Sequence, residues 1–325
     1  PMCGCDDPQH ALTAPEFLFN QGDRFNIDRC EQCGFLYTNP RPTLDALGRF
    51  YPDDYYRKQS RPKANRAKRN TGWREGWTQA ALRNHLGYPG QSSPMLKPLT
   101  WLRAVQLKRG LRYYNTLPWA GEGRLLDFGI GDARFLRLQR ERGWTVAGID
   151  FNETVVQWAR DEDGIDAEAG TWPSENEPMT GRQFDMMTAW HVIEHLPDPR
   201  GWVASAVERL APGGMLLLCC PDRDSWAFER FGEDWFGLDV PRHFNHFTKH
   251  DLARLMHDAG LEVVRIRPQH RSRSLKESVR MRAARLDTPG WRLMRKLSIF
   301  WRVYGWLAAL SGKADCVIVY GRKPS

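Results

Sequence analysis

No run of about 18 apolar residues, the length that spans a bilayer, occurs in this 325-residue chain. That argues against a membrane-spanning helix. The chain opens on Pro1 without the charged-then-apolar pattern of a secretory signal, so a reducing, cytoplasmic setting is the expectation. Cysteine is scarce, at seven residues, and such a setting favours metal ligation over disulfides where cysteines cluster. No internal repeat is present. Acidic residues nearly vanish from the C-terminal end: residues 264–325 hold 3 Asp/Glu against 15 Lys/Arg.

Charge is unevenly spread. Residues 1–121 hold 18 Lys/Arg and 10 Asp/Glu, whereas residues 122–263 hold 14 and 26. A basic rim around an acidic middle points to an anionic partner or to a solvated surface. Four segments follow from composition and patterning. Residues 1–56 form a small cysteine module, and residues 57–119 form a basic linker or lid with helical stretches. Residues 120–268 form the core, and residues 269–325 an insert and a final strand. Within the linker, "RKQSRPKANRAKRN" lacks apolar periodicity and reads as exposed chain.

From residue 124 short apolar runs alternate with helical patterns. "RLLDFG", "TVAGIDF", "FDMMTAW", "MLLLCCP" and "LEVVRIRP" read as strands. "ARFLRLQRERG", "ETVVQWARDEDG", "PRGWVASAVERL" and "KHDLARLMHDAG" read as helices. This rhythm predicts an α/β fold, a doubly wound sheet with helices on both faces. Runs such as "MLLLCC" and "CVIVY" suit strands covered on both sides, with Cys219, Cys220 and Cys316 as buried thiols. The insert "RLMRKLSIFWRVYGWLAAL" reads as basic and amphipathic. Its readings are a lid, a dimer face, a plain packed helix, or a peripheral membrane contact through residues 290–310.

The loop "GRLLDFGIGDARFL" carries the chemistry. A dinucleotide site wants G-x-G-x-x-G/A, with a small third residue to pack helix on strand. Gly129 and Gly131 fit, but Arg134 holds the third position. Asp127, two residues before Gly129, would repel a pyrophosphate and attract a cation. Together with Arg134 it disfavours a nicotinamide-linked oxidoreductase. S-adenosylmethionine, with an ammonium and a sulfonium, is a ligand of the required sign. Asp150, 21 residues after Gly129, stands where a carboxylate accepts hydrogen bonds from two ribose hydroxyls.

With "LLDFGIGDARFL", "VAGID", "FDMMTAWHVIEHLPDP", "LAPGGMLLLCCPD" and "PRHFNHFTKHDLARLMHDAGLEV" in view, the chain resembles class I S-adenosylmethionine-dependent methyltransferases, in their ubiquinone-biosynthesis-like branch. "CEQCGFLYTNPRP" resembles the zinc-ribbon head of one subset of that branch. The resemblance implies a seven-stranded Rossmann-like sheet whose last strand is antiparallel, with the insert connecting the final two strands. It implies that Asp127, Gly129, Gly131, Asp150 and Phe151 hold the donor. Thr171, in the loop after the third core strand, falls near the adenine, with Glu168 as a loose match to an acidic contact; Ala189 and Trp190 line the transfer pocket.

Cys30-Glu-Gln-Cys33-Gly34 has the spacing of a zinc knuckle, two thiolates and a glycine turn. Cys3 and Cys5 are the other candidate ligands of a closed, structural site. His191-Val-Ile-Glu194-His195 places its two histidines one helical turn apart. His191 and then His243 are the candidate bases, because a histidine pKa of ~6.5 suits proton removal near neutrality. A divalent cation at His191, Glu194 and His195 is a further reading; His243 or His246 would complete it. The expected activity is methyl transfer at oxygen to a small-molecule, glycan or lipid-linked acceptor, an anionic one being the reading the basic flanks suggest. The alternatives are a sugar C-methyltransferase, an RNA methyltransferase, or a zinc-ribbon RNA-binding protein using the basic flanks, though the chain carries no RNP-like aromatic motif.

Overall fold

The computed structural model describes residues 2–5, 7–18, 22–43, 46, 48–50, 73–109, 116–270 and 272–325. The expected exposed linker at 57–70 lies outside the described residues. Contacts gather the chain into two compact units. One comprises Pro1–Pro52, Thr188–Glu208 and Leu216–Pro324; the other comprises Asp53–Met187 and Arg209–Met215.

The strands of the core are β4 (Arg124–Phe128), β5 (Thr145–Asp150), β6 (Asp166–Ala169), β7 (Phe184–Trp190), β8 (Leu210–Pro221), β10 (Glu262–Gln269) and β11 (Cys316–Arg322). They form one seven-stranded sheet in the order β10-β11-β8-β7-β4-β5-β6. β4, β5 and β6 pair in parallel. β11 runs antiparallel to β10, pairing Gln269 with Cys316 and Arg267 with Ile318. This is the α/β sheet the alternation predicts, with the expected antiparallel last strand. Met215 through Cys220 are all buried, as befits a strand covered on both faces.

In the unit containing residues 53–187, two helices, α1 (Trp73–Leu86) and α2 (Lys97–Arg109), precede the sheet. Tyr88, Trp119 and Trp144 pack behind them, the two indoles 4.6 Å apart. Helix α3 (Arg134–Glu141) follows β4 and turns Phe135, Leu136 and Gln139 inward. Helix α4 (Glu153–Asp161) follows β5; the Asn152 side chain accepts its first free N–H groups, from Thr154 and Val155.

In the other unit, β1 (Pro8–Pro15), β2 (Arg24–Cys30) and β3 (Leu36–Thr38) form an antiparallel meander. Its fourth strand, β9 (Asn245–His246), comes from far along the chain, pairing Leu36 with His246 and Tyr37 with Asn245. Helices α5 (Pro199–Arg209), α6 (Trp226–Phe231) and α7 (Lys249–Asp258) belong to the core connections. The Thr248 hydroxyl and the Asp251 carboxylate cap α7 reciprocally. Between β10 and β11 come α8 (Ser272–Leu286), α9 (Pro289–Lys296) and α10 (Ser298–Leu310). Ile27 and Leu36 of the meander share a buried cluster with Phe231, Trp235, Leu275 and Trp301. The cysteine head and the C-terminal insert thus have a common core. Among the described residues no helix is long and apolar enough to cross a membrane.

Candidate active site

β4 ends on Asp127, which is buried, and Phe128. The chain then bends through Gly129 and Gly131 at φ 86° and 56°, the left-handed region that glycine enters without a Cβ clash. A Cβ built on Gly131 meets nothing within 4 Å, so this face of the bend is open to a ligand. Gly148 serves packing instead: a Cβ there would stand 2.7 Å from Ile130 Cγ1. Ile130 thereby seats the bend on β5.

Asp150 ties the loop ends together. Its carboxylate accepts from the backbone N–H of Gly131 at 3.3 Å and of Asn152 at 3.0 Å. Its own carbonyl accepts from Gly170 N–H at 3.0 Å. Burial pushes the Asp150 carboxyl up to about 6, against these N–H bonds, which pull it down. Phe151 beside it is exposed. Thr171 lies in the exposed loop after β6, next to Trp172, which packs on Phe128 at 5.4 Å. Glu168, the loose match to an adenine contact, accepts from Met179 N–H at 2.8 Å and so braces its own loop. The arrangement offers two buried carboxylates, Asp127 and Asp150, around an open glycine bend. That donor set fits a cationic nucleoside carrying a ribose diol.

In the other unit β7 ends on buried Ala189 and on Trp190. His191 follows with φ 57°, a conformation that strains a non-glycine residue and concentrates at functional sites. Its N–H donates to Cys219 O at 2.8 Å. The expected helical turn pairing His191 with His195 does not form: Val192 is non-helical, and only a short 3-10 turn, Ile193–His195, follows. His191 instead meets Glu194, Nδ1 to Oε1 at 3.1 Å. The donor set that converges is Glu194, His195 and His243, whose ligand atoms lie within 4.8 Å of one another. His191 is not among the three, although its Nδ1 and His243 Nε2 both face Glu194 Oε1.

His243 Nδ1 bonds Gly237 O at 2.9 Å, and its Nε2 faces Asp239 and Glu194 at 3.7 and 3.9 Å. His195 Nδ1 bonds Arg242 O at 2.9 Å. Desolvation, helped by the neighbouring His243, drives the His195 pKa down to about 3; desolvation and His243 do the same for His246. Both rings are neutral. Beneath them, buried Arg242 pairs with Glu16 at 3.0 Å and Asp239 at 2.6 Å. The head also grips this loop by its backbone: Thr38 Oγ1 donates to His243 O at 2.7 Å, and Thr38 N–H to Phe244 O at 2.9 Å. Glu16, Thr38, Asp239 and Arg242 escape a sequence reading. No motif links positions 226 apart, and the only local signal is the charge pair three residues apart at 239 and 242.

In the head, Cys3, Cys30 and Cys33 converge, with Cys3 and Cys30 sulfurs 3.5 Å apart. Gly34, at φ 71°, closes the knuckle by donating to Cys30 O at 2.9 Å. Burial raises the Cys30 thiol, but hydrogen bonds from the Cys33 backbone and from the Cys3 and Cys33 thiols outweigh it and bring it down to about 7. Cys5, expected as a fourth ligand, stands outside this close set. Burial, and after it the neighbouring Cys30, raise its thiol.

A central β4 ending in a glycine bend, an acidic end to β5 and an antiparallel last strand define a class I methyltransferase fold. The model of the methyltransferase domain family matches residues 102–266, and the chain belongs to that family. It is a methyltransferase of the S-adenosylmethionine-dependent class. The ubiquinone biosynthesis O-methyltransferase of Thiobacillus denitrificans is 30% identical over 186 residues, covering 51% of this chain and 75% of that enzyme. The Pseudomonas paraeruginosa enzyme of the same name is 31% identical over 150 residues, covering 43% of this chain and 64% of that one. Among solved structures, an S-adenosylmethionine-dependent methyltransferase from Mesorhizobium loti aligns with a TM-score of 0.44 at 18% identity, over 70% of this chain and 97% of that one.

Proposed function

We propose that the chain transfers a methyl group from S-adenosylmethionine to an oxygen of a small-molecule or lipid-linked acceptor. Asp150 carries this reading. Its carboxylate, fixed by Gly131 and Asn152 N–H at the end of β5, has the place and the acceptor capacity for a ribose diol. Asp127 supplies negative charge beside the bend, and Gly129, Gly131, Phe151 and Thr171 line the donor's path. Ala189 and Trp190 border the acceptor. The relatives' name, ubiquinone biosynthesis O-methyltransferase, supports oxygen over carbon or nitrogen as the acceptor atom. Neither RNA binding nor sugar C-methylation has comparable support.

The donor supplies an electrophilic methyl carbon; the protein's own task is alignment and proton removal. His191 is the proposed base. Glu194 Oε1, 3.1 Å from Nδ1, holds the ring with its proton on Nδ1 and leaves Nε2, which faces Cys219 Sγ at 3.8 Å, as the proton acceptor. His243 is the second candidate, since its Nδ1–H is taken by Gly237 O. A divalent cation at Glu194, His195 and His243 is an alternative use of the same cluster, supported by their convergence. Cys3, Cys30 and Cys33 fit structural zinc, with Cys5 the nearest further thiol.

Calorimetry tests the donor. S-adenosylmethionine or S-adenosylhomocysteine should bind with micromolar affinity, and Asp150→Ala should weaken binding at least ~30-fold, as expected for two lost hydrogen bonds to a charged acceptor. Heat only with a nicotinamide dinucleotide sinks the proposal. Loss of turnover in His191→Ala with the donor heat unchanged supports the base, whereas full turnover in both His191→Ala and His243→Ala removes both from the chemistry.

A further inference from the structure

Helix α10 is apolar on both faces. Its inner face is fully accounted for: Trp301, Gly305 and Ala308 are buried. Trp301 packs on Phe231 at 5.5 Å and donates its indole N–H to Met294 O, and Tyr304 OH donates to Trp226 O. The outer face carries Ile299, Phe300, Val303, Trp306, Leu307 and Leu310, all exposed, Ile299 by 75% and Leu310 by 66%. At 3.6 residues per turn they occupy an arc of about 120°. Leu293 on α9 and Leu297, between α9 and α10, add to the exposed apolar surface. A stripe of this size on a folded domain marks an interaction surface.

Charge decides among the occupants. From Thr288 to Lys313 the chain holds five Lys/Arg and no Asp or Glu. Arg292 is held by Asp287 and Lys313 by Glu229. Arg295, Lys296 and Arg302 are exposed and make no ion pair with a described residue. A second copy seated two-fold on this face would set cations against cations. An anionic bilayer meets both features, taking the apolar stripe into its acyl boundary and the arginines and lysine at its headgroups. The helix is 13 residues, about 20 Å long, which suits lying in the interface rather than crossing it.

We infer that α9 and α10 form an interfacial anchor that seats the protein on anionic lipid membranes. The inference goes beyond the proposed methyl transfer and does not depend on it. The test is flotation of the full chain with vesicles of phosphatidylcholine alone and of phosphatidylcholine with 30% phosphatidylglycerol. The protein should float with the anionic vesicles, and about tenfold less with neutral ones or in 1 M salt. Val303→Ser with Trp306→Ser and Leu310→Ser, and separately Arg295→Glu with Lys296→Glu, should each reduce anionic partitioning about tenfold or more. Thermal unfolding and the donor heat should not change, because none of the five side chains belongs to the core or the donor loop. Failure to float with anionic vesicles overturns the inference. So does equal flotation with neutral ones, or a dimer in sedimentation velocity that the serine variant dissociates without changing flotation.

Discussion

Glu16 and Arg242 meet at 3.0 Å with both side chains completely shielded from solvent. Arg242 also holds Asp239 at 2.6 Å, and its carbonyl receives the His195 ring. The charge of a residue in the cysteine head is therefore spent on the loop that presents His243. Removing one partner of a buried pair leaves the other uncompensated, at a cost of about 3–5 kcal/mol. Because Arg242 keeps Asp239, Glu16→Ala should lose less than that in urea unfolding, about 1–3 kcal/mol. Glu16→Gln, which keeps an acceptor, should lose less. Donor binding should stay near wild type in both, because Asp127 and Asp150 are not touched; a loss of donor heat without a loss of stability would contradict this division of labour.

Donor affinity should depend on pH through Asp150. Its carboxyl is raised to about 6 in the folded protein, and in the proposed site only the ionised form would accept from both ribose hydroxyls. Affinity should be flat above about pH 7 and fall as pH drops through 6, approaching ~tenfold per unit if binding requires the ionised form. Asp150→Asn should flatten the profile at low affinity. Calorimetry between pH 5 and 8 reads both.

Stability should fall on acidification for a separate reason. His195 and His246 titrate at about 3 in the folded protein and near 6.5 when unfolded. Between those values the unfolded chain binds more protons, so stability is complete above about pH 6.5 and declines toward pH 3. Each ring contributes a slope of up to ~1.4 kcal/mol per pH unit. His246→Gln should make the acid limb of the stability curve shallower. An unchanged limb would show that this ring does not carry the proton difference.

Metal removal should act on the head. Chelation, or Cys30→Ser, should release one zinc per chain and lower the thermal midpoint, since three converging thiols without a metal repel as they ionise. Cys5→Ser separates the near thiol from the close set: retained zinc assigns the site to Cys3, Cys30 and Cys33 together with a ligand other than Cys5.

The core was legible because its signals are local. Apolar runs read out β4, β5, β7, β8 and β10 but not the short, polar β6, "DAEA", and the glycine bend with its two carboxylates lies within one short stretch of chain. The histidine cluster was half legible. Glu194 and His195 are neighbours, but His243 arrives through a loop 48 residues on, and the left-handed backbone at His191 overrides the helical spacing of the motif. Glu16 and Arg242 have no local signature at all. The insert misled in another way: "SIFWRVYGWLAAL" read as amphipathic, yet both of its faces are apolar, and only packing shows which one the core uses.

The pairing of Leu36 with His246 makes the cysteine head a poor candidate for transplantation. Excised alone, it would present an open strand edge and lose its share of the Trp235–Trp301 core; excised from its host, it would leave the His243 loop without a backbone partner. A chimera that exchanges heads between relatives therefore has to exchange the segment from Asp239 to Thr248 as well, and the two pieces, far apart in the gene, are constrained to change together.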